Sequence, residues 1–313
     1  MTRVIVNRLL MAIPVLFLMT IITYLLVSLI PGNAAVVILG QDATPENVAR
    51  LSAQMHLDQP FYVQWWYWLQ GAFHGDLGTS IYTGQPVTTV IAERIMPTVY
   101  VAGFATILGA VVGIILGTWA AVKRGAVSKV LDTISMLGIA LPNFWFALLL
   151  VVLVAGQLKI LPPLGYTPPQ EDFGSWAIHL VLPVIALSLA GVAIIAKQTR
   201  DSMSEALSRD FMRFLQANGL SRFSLVYQHA PRYAAGPIAS AIIASFVNLF
   251  GGTVALESIF AIPGLGSLVV TSTTQRDLVT IQGAVLAYTV VVLAATLLGD
   301  IVSIALNPKL RTR

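Results

Sequence analysis

Six stretches of this chain carry no charged side chain over lengths near or above a membrane thickness. They are Leu9 to Ile30, Thr98 to Val122, Thr133 to Leu158, Phe173 to Ala196, Tyr233 to Leu256, and Leu278 to Gly299, the last running past Asp300 to about Leu306. About 20 apolar residues in a helix cross the hydrocarbon core, and a helix satisfies its own backbone donors and acceptors there. The predicted fold class is an all-α membrane protein with six transmembrane helices. With 57% hydrophobic and 10% charged residues, the chain lacks the polar surface to cover itself in water; an ordinary soluble domain has about a quarter of its residues charged. Leu9 to Ile30 is longer than a signal-peptide core and no small-residue cleavage pattern follows it, so it is read as a span.

An even number of spans puts both termini on one side, together with the loops around Lys123–Asp132 and Lys197–Arg232. Of the 18 Lys and Arg residues, all except Arg50, Arg94, Lys159 and Arg276 fall on that side, which the positive-inside rule makes cytoplasmic. The net charge of +4 then describes anchoring against anionic headgroups. It does not describe a nucleic-acid partner, because the charges are spread over short segments without interleaved aromatics.

Enzyme readings fail on inventory. The absence of cysteine excludes disulfides, thiolate metal sites and cysteine nucleophiles. Neither a GxxxxGK phosphate loop nor an HExxH zinc pair occurs, so the chain has no ATP-binding motif of its own. His56, His74, His179 and His229 are scattered, and the external acids Asp42, Glu46, Asp58 and Asp76 do not form a paired-carboxylate pattern. No catalytic residue, cofactor site or metal site is predicted.

Two domains are read. Residues 1–97 hold the first span and an external segment, and residues 98–313 hold a five-span core that includes a loop at 197–237. In the external segment Thr44-Pro45-Glu46 is a helix start. Near Tyr62 to Ala72, Phe61, Trp65, Trp68 and Leu69 recur at helical spacing with Trp66 and Tyr67 on the flanks. That helix either lies along the outer leaflet or packs on the helix bundle.

The 197–237 loop reads as a helix to Asn218, with Leu207, Phe211, Phe214, Leu215 and Asn218 on one side and Glu205 four residues before Arg209. Gly219 ends it. Ser221 caps a second short helix, Arg222 to Ala230, and Pro231 and Pro237 bracket the return to the membrane. Elsewhere, Gly109, Gly113 and Gly117 form a small-residue stripe for close helix contact, inside the bundle or with a partner. Pro142 and Pro183 are predicted to bend the third and fourth spans. Glu257 precedes a tight Pro263-Gly264-Leu265-Gly266 turn, which it is placed to brace. Asp300 lies among apolar neighbours inside the last span, for a helix–helix hydrogen bond or a gate.

The literal residues resemble a known family, the inner-membrane permease subunits of the dipeptide, oligopeptide and nickel class of ATP-binding-cassette importers, most closely the first permease of dipeptide systems. Family motifs appear in order along nearly the whole chain: PGNA at Pro31, MHLDQP at Met55, GDLGTS at Gly75, ERIMPT at Glu93, DFMRFLQANG at Asp210, HAPRYA at His229 and ESIFAIPGLG at Glu257. The family's EAA-three-residues-G pattern falls on Arg213-Phe214-Leu215 and Gly219, with bulky Phe214 and Leu215 departing from the small residues usual there.

The resemblance implies a type I importer architecture in a bacterial inner membrane. A paralogous permease shares the pathway, two ATPase subunits bind ATP and Mg, and an extracytoplasmic binding protein delivers peptide. It also implies that Asp210, Arg213, Gly219, Leu220, His229 and Arg232 carry ATPase contact or the geometry of the coupling loop; the competing readings are that Arg213 and Arg232 merely anchor at headgroups and that His229 only caps or packs within the loop. A pathway or gate role extends to Glu257, Pro263, Gly264, Gly266 and Asp300. A nickel or nickel-chelate importer is the alternative within the family; a secondary transporter or channel is the alternative of another class, against which no inverted repeat is evident.

Overall fold

The computed structural model describes residues 2–29, 34–54, 57–123, 133, 138 and 140–306. Among them the regular structure is helical: α1 Thr2–Ser28, α2 Ala34–Leu39, α3 Pro45–Gln54, α4 Phe61–Phe73, α5 Val87–Val122, α6 Asn143–Leu150, α7 Phe173–Ser208, α8 Asp210–Ala217, α9 Arg222–Ser224, α10 Ala230–Phe260, α11 Leu265–Gln275 and α12 Leu278–Leu306. Wider π turns prolong α6 over Val151–Gln157 and join α9 to α10 over Leu225–His229.

Five helical segments of the described residues are long and apolar enough to cross a membrane: Ile5–Ser28, Val87–Val122, Phe173–Ser208, Arg222–Phe260 and Leu278–Ala305. The protein is thus an all-α, multi-span membrane protein. The third apolar window is represented by a shorter apolar helix, Asn143–Gln157, and residues 134–137 and 139 of that window lie outside the described residues. Pro142 does not bend a helix as the sequence suggested. Its backbone is extended (φ −62°, ψ 129°), and α6 starts from it. Pro183 does lie inside α7.

The helices fall into two compact units. One comprises Met1–Ile5, Val99–Ile262 and Ala294–Arg313. Its main core packs Val101 and Ala105 of α5, Ala147 of α6, Leu180 and Leu187 of α7, and Leu249, Leu256 and Phe260 of α10. The small-residue stripe has its partner here. A Cβ on Gly109 would come within 3.3 Å of the Gly191 backbone, one on Gly113 within 2.9 Å of Ile195 Cβ, and one on Gly117 within 2.6 Å of Thr199 Cβ. The stripe therefore seats α5 directly on α7, inside the bundle.

The second unit comprises Val6–Thr98 and Pro263–Leu293. Within it Trp65 of α4 packs edge-on against Phe17 at 5.2 Å and donates from Nε1 to Thr20 Oγ1 at 3.2 Å, while Tyr24 donates to Gln64 Oε1 at 3.0 Å. Trp66 and Tyr67, on the other side of α4, stay about half exposed. The aromatic helix thus packs by one face and leaves the other open. Asp277, at the start of α12, is 2% exposed. It accepts from Ser80 Oγ at 2.5 Å, from Thr280 Oγ1 at 2.7 Å and from the Thr280 amide at 3.2 Å.

Candidate functional site

The loop between α7 and α10 is a small folded body with its own core. Met203 and Ala206 of α7, Met212 of α8, Leu225 and Val226 of the π turn, and Ala230 and Ala234 of α10 are buried together. Leu207, Leu215 and Leu220 pack against them, as do Ala121 and Val122 at the end of α5. The sequence predicted one helix up to Asn218, but the chain breaks earlier, at Arg209, whose backbone is extended (φ −67°, ψ 148°). That break resets the helical phase. Met212 becomes the buried residue, whereas Phe211 and Phe214, placed on the apolar side by uninterrupted periodicity, are exposed at 43% and 68%.

Gly219 has φ +86° and closes α8 with a pair of bonds: its amide reaches the Gln216 carbonyl at 3.0 Å and the Leu220 amide reaches the Leu215 carbonyl at 3.2 Å. This is the Schellman arrangement, in which a left-handed residue lets the chain satisfy two orphan carbonyls. Leu215 and Leu220, the residues flanking the bend, meet the same core. A Cβ at Gly219 would touch nothing within 4 Å, so the backbone angle alone requires glycine there. Ser221 then caps the next turn, accepting from the Ser224 amide at 3.2 Å.

The second short helix is not separate. From Arg222 to Phe260 the chain is continuously helical, with the π turn Leu225–His229 just before Pro231. Pro231 has no amide to donate and its ring would crowd the carbonyl one turn back. The wider turn, closed by the Ala230 amide on the Leu225 carbonyl, accommodates the proline without ending the helix.

Asp210 is exposed in the first turn of α8, where a carboxylate is favoured by the helix dipole, and lies 3.7 Å from exposed Arg213. His229 is half-buried at the end of the π turn, Leu220 is half-buried and Arg232 is exposed. Sequence reasoning missed the brace that steadies these residues. Arg209 hydrogen-bonds Glu205 and stacks over the Tyr233 ring at 5.4 Å; Tyr233 donates to Glu205 Oε1 at 3.1 Å and packs on Phe211 at 6.0 Å. The Glu205 carboxylate holds the Arg209 guanidinium above its ordinary range. Spacing gave the Glu205–Arg209 pair; Tyr233, a helix away, left no local signal.

The remaining predicted residues do not form one site. Glu257 is fully buried in the last turn of α10. Its backbone carbonyl accepts the amides of Ala261 and Ile262, and Ala261 adopts a left-handed backbone. Pro263, Gly264 and Gly266 lead into α11, a helix not predicted. Gly264 donates to Ser267 Oγ at 3.0 Å and the Leu265 amide donates to Thr98 Oγ1 at 2.8 Å. Asp300 is half-buried in α12, beside Gly299, which abuts Ile243 of α10. Glu257 lies about 20 Å further along that helix, so the two carboxylates belong to different levels. Among the described residues no group of three or more His, Asp or Glu is arranged to hold a metal ion.

Residues 109–312 match the family of binding-protein-dependent transport system inner membrane components, and residues 1–102 match that family's N-terminal region. The chain belongs to this family. It is therefore a multi-pass inner-membrane component of a multi-subunit transport system, without an ATP-hydrolysing site of its own. This permease is 37% identical over 312 residues to a peptide transport system permease protein of Brucella abortus, 99% of each chain being covered. It is 34% identical over 315 residues to the glutathione transport system permease protein GsiC of Escherichia coli, again across 99% of each. Among solved structures, a chain of the inward-facing MetNI methionine ABC transporter superposes with a TM-score of 0.57 at 13% identity, covering 70% of this permease and 96% of that chain. The two share a fold.

Proposed function

We propose that this permease is the transmembrane subunit of an ATP-driven importer of dipeptides or short oligopeptides. It lines the pathway with a paralogous permease, receives substrate from an extracytoplasmic binding protein and couples to two ATPase subunits. The observation that carries this is similarity along the full length to permeases named for peptide and glutathione transport, glutathione being itself a tripeptide. Six spans with both termini in the cytoplasm complete the reading, residues 133–157 supplying the third span.

The 197–237 loop is the coupling element, with Asp210, Arg213, Gly219, Leu220, His229 and Arg232 setting its geometry and contacts. Phe214 and Phe223, each 68% exposed, and Tyr227, packed 4.7 Å from Phe223, give it an apolar outer face of the kind that fills a partner's groove. The bulk at Phe214 is then a contact, while Leu215 belongs to the loop's own core. Glu257, Pro263, Gly264 and Gly266 shape the external end of the pathway, and Asp300 lies towards its cytoplasmic end.

The complex, reconstituted in proteoliposomes with its binding protein, should take up dipeptide in an ATP-dependent manner. Substrate-independent ATPase activity without uptake would sink the proposal, and a binding protein that retains nickel instead of peptide would replace the substrate. Because the chain has no cysteine, Ala217→Cys and Gln85→Cys report topology cleanly. A membrane-impermeant thiol reagent added outside should label only the second.

A further inference from the structure

Behind the coupling loop is an open cavity of about 900 Å³. Four cationic side chains from separate segments converge on it: Lys123 after α5, Arg200 on α7, Arg213 on α8 and Arg222 on α9. One carboxylate, Asp201, shares the lining and is engaged by Arg200 at 2.8 Å. Among the described residues Lys123 and Arg222 pair with no carboxylate. One side of the lining is apolar, formed by half-buried Ala121 and Val122 at the end of α5 and Leu207 on α7. A charge-dense cavity with an apolar wall is shaped for an amphipathic anion.

We infer that this cavity binds the phosphate-bearing headgroup of an anionic phospholipid from the cytoplasmic leaflet. Three features select lipid over a free anion or an acidic protein segment. The cavity opens where α5 ends and where α7 has passed its charge-free stretch at Ala196, which is headgroup depth for both helices. Its volume admits a phosphoryl headgroup with ordered water, a water occupying about 30 Å³. The apolar wall gives the glycerol backbone and upper acyl carbons a surface that inorganic phosphate would not use. Basic pockets between spans on the cytoplasmic side are recognised by such headgroups through summed charge. The bound lipid would bridge the ends of α5 and α7 to α8 and α9, fixing the loop against the spans. This inference rests on the cytoplasmic placement of the loop proposed above.

The test uses the whole complex extracted into nonionic detergent from membranes containing phosphatidylglycerol and phosphatidylethanolamine, with retained lipids counted by mass spectrometry. Phosphatidylglycerol should be enriched over its bulk fraction. The enrichment should fall by up to about 25-fold in the double variant Lys123→Gln with Arg222→Gln, since each basic residue near an anionic surface contributes about fivefold. It should survive in Lys197→Gln, an exposed lysine on α7 outside the cavity, and millimolar inorganic phosphate should not displace it. Equal enrichment in the double variant overturns the inference. So does displacement by inorganic phosphate, which would make the cavity a site for free anions. Loss of ATPase subunits from the double variant with phosphatidylglycerol retained also overturns it, assigning the surface to a protein contact. Labelling of Ala217→Cys from the cytoplasm keeps a failure of the lipid site distinct from a failure of the topology.

Discussion

The loop at residues 197–237 and the Ser80–Asp277 junction solve opposite problems with residues of the same kinds. In the loop the polar and charged groups stand outside an apolar core: Arg213 and Asp210 are 77% and 99% exposed and 3.7 Å apart, a pair worth about 0.5 kcal/mol at most in water. At the junction a carboxyl group with 2% exposure is enclosed by a serine hydroxyl, a threonine hydroxyl and an amide. A buried polar group costs several kcal/mol unless every bond is made, and once made each bond fixes geometry. The junction is built to hold one geometry. The loop keeps its shape by apolar packing and leaves its polar and aromatic periphery exposed.

That contrast can be broken by substitution, beginning with the largest effect. Asp277→Ala removes the acceptor of three hydrogen bonds and orphans two buried hydroxyls. Chemical unfolding of the purified permease should register a loss of about 3 kcal/mol, with binding of the ATPase subunits to the folded fraction unchanged. Loss of that binding instead would mean the two regions are not separable. Gly219→Val forces a β-branched residue to φ +86° and should cost about 2 kcal/mol, loosening the loop and weakening ATPase co-purification while membrane insertion persists. Gly219→Asn should cost less, since asparagine tolerates the left-handed region. A Val variant as well assembled as the Asn variant would remove the bend from the account.

Ser221→Ala deletes one cap and should lower stability by about 1 kcal/mol, visible as faster proteolysis in the loop. Phe214→Ala should change stability by less than about 0.5 kcal/mol, being exposed, yet reduce ATPase co-purification severalfold. If both quantities fall together, Phe214 is packing the loop and the periphery is not the contact.

The sequence revealed where hydrocarbon would be crossed better than where helices would end. Charge-free runs locate the apolar core of a span, but a helix continues into water as long as its backbone is satisfied. Thus α5 begins at Val87, carrying Glu93 and Arg94, and α7 runs to Ser208. Gly219 and Ser221 were legible because turn and cap chemistry is local. The break at Arg209 was not, since no residue there is a helix breaker and packing of Met212 decides it. Asp277 escaped notice for a similar reason: its partner Ser80 is distant in the chain, and a lone acid before an apolar helix looks like an ordinary cap.

The unbroken helical run from Arg222 to Phe260 contains 39 residues, so it is roughly 58 Å long. A bilayer with its headgroups is about 40–45 Å thick. At the usual tilt of about 20° the helix is longer than the bilayer is thick, and Phe223 and Tyr227 stand in its first two turns. Long helices curve gently without losing hydrogen bonds and kink sharply only at defined interruptions. Two places along it interrupt the regular hydrogen-bond ladder, the π turn at Leu225–His229 and Pro237 within α10, and these are where the helix can change direction between Phe223 and Glu257.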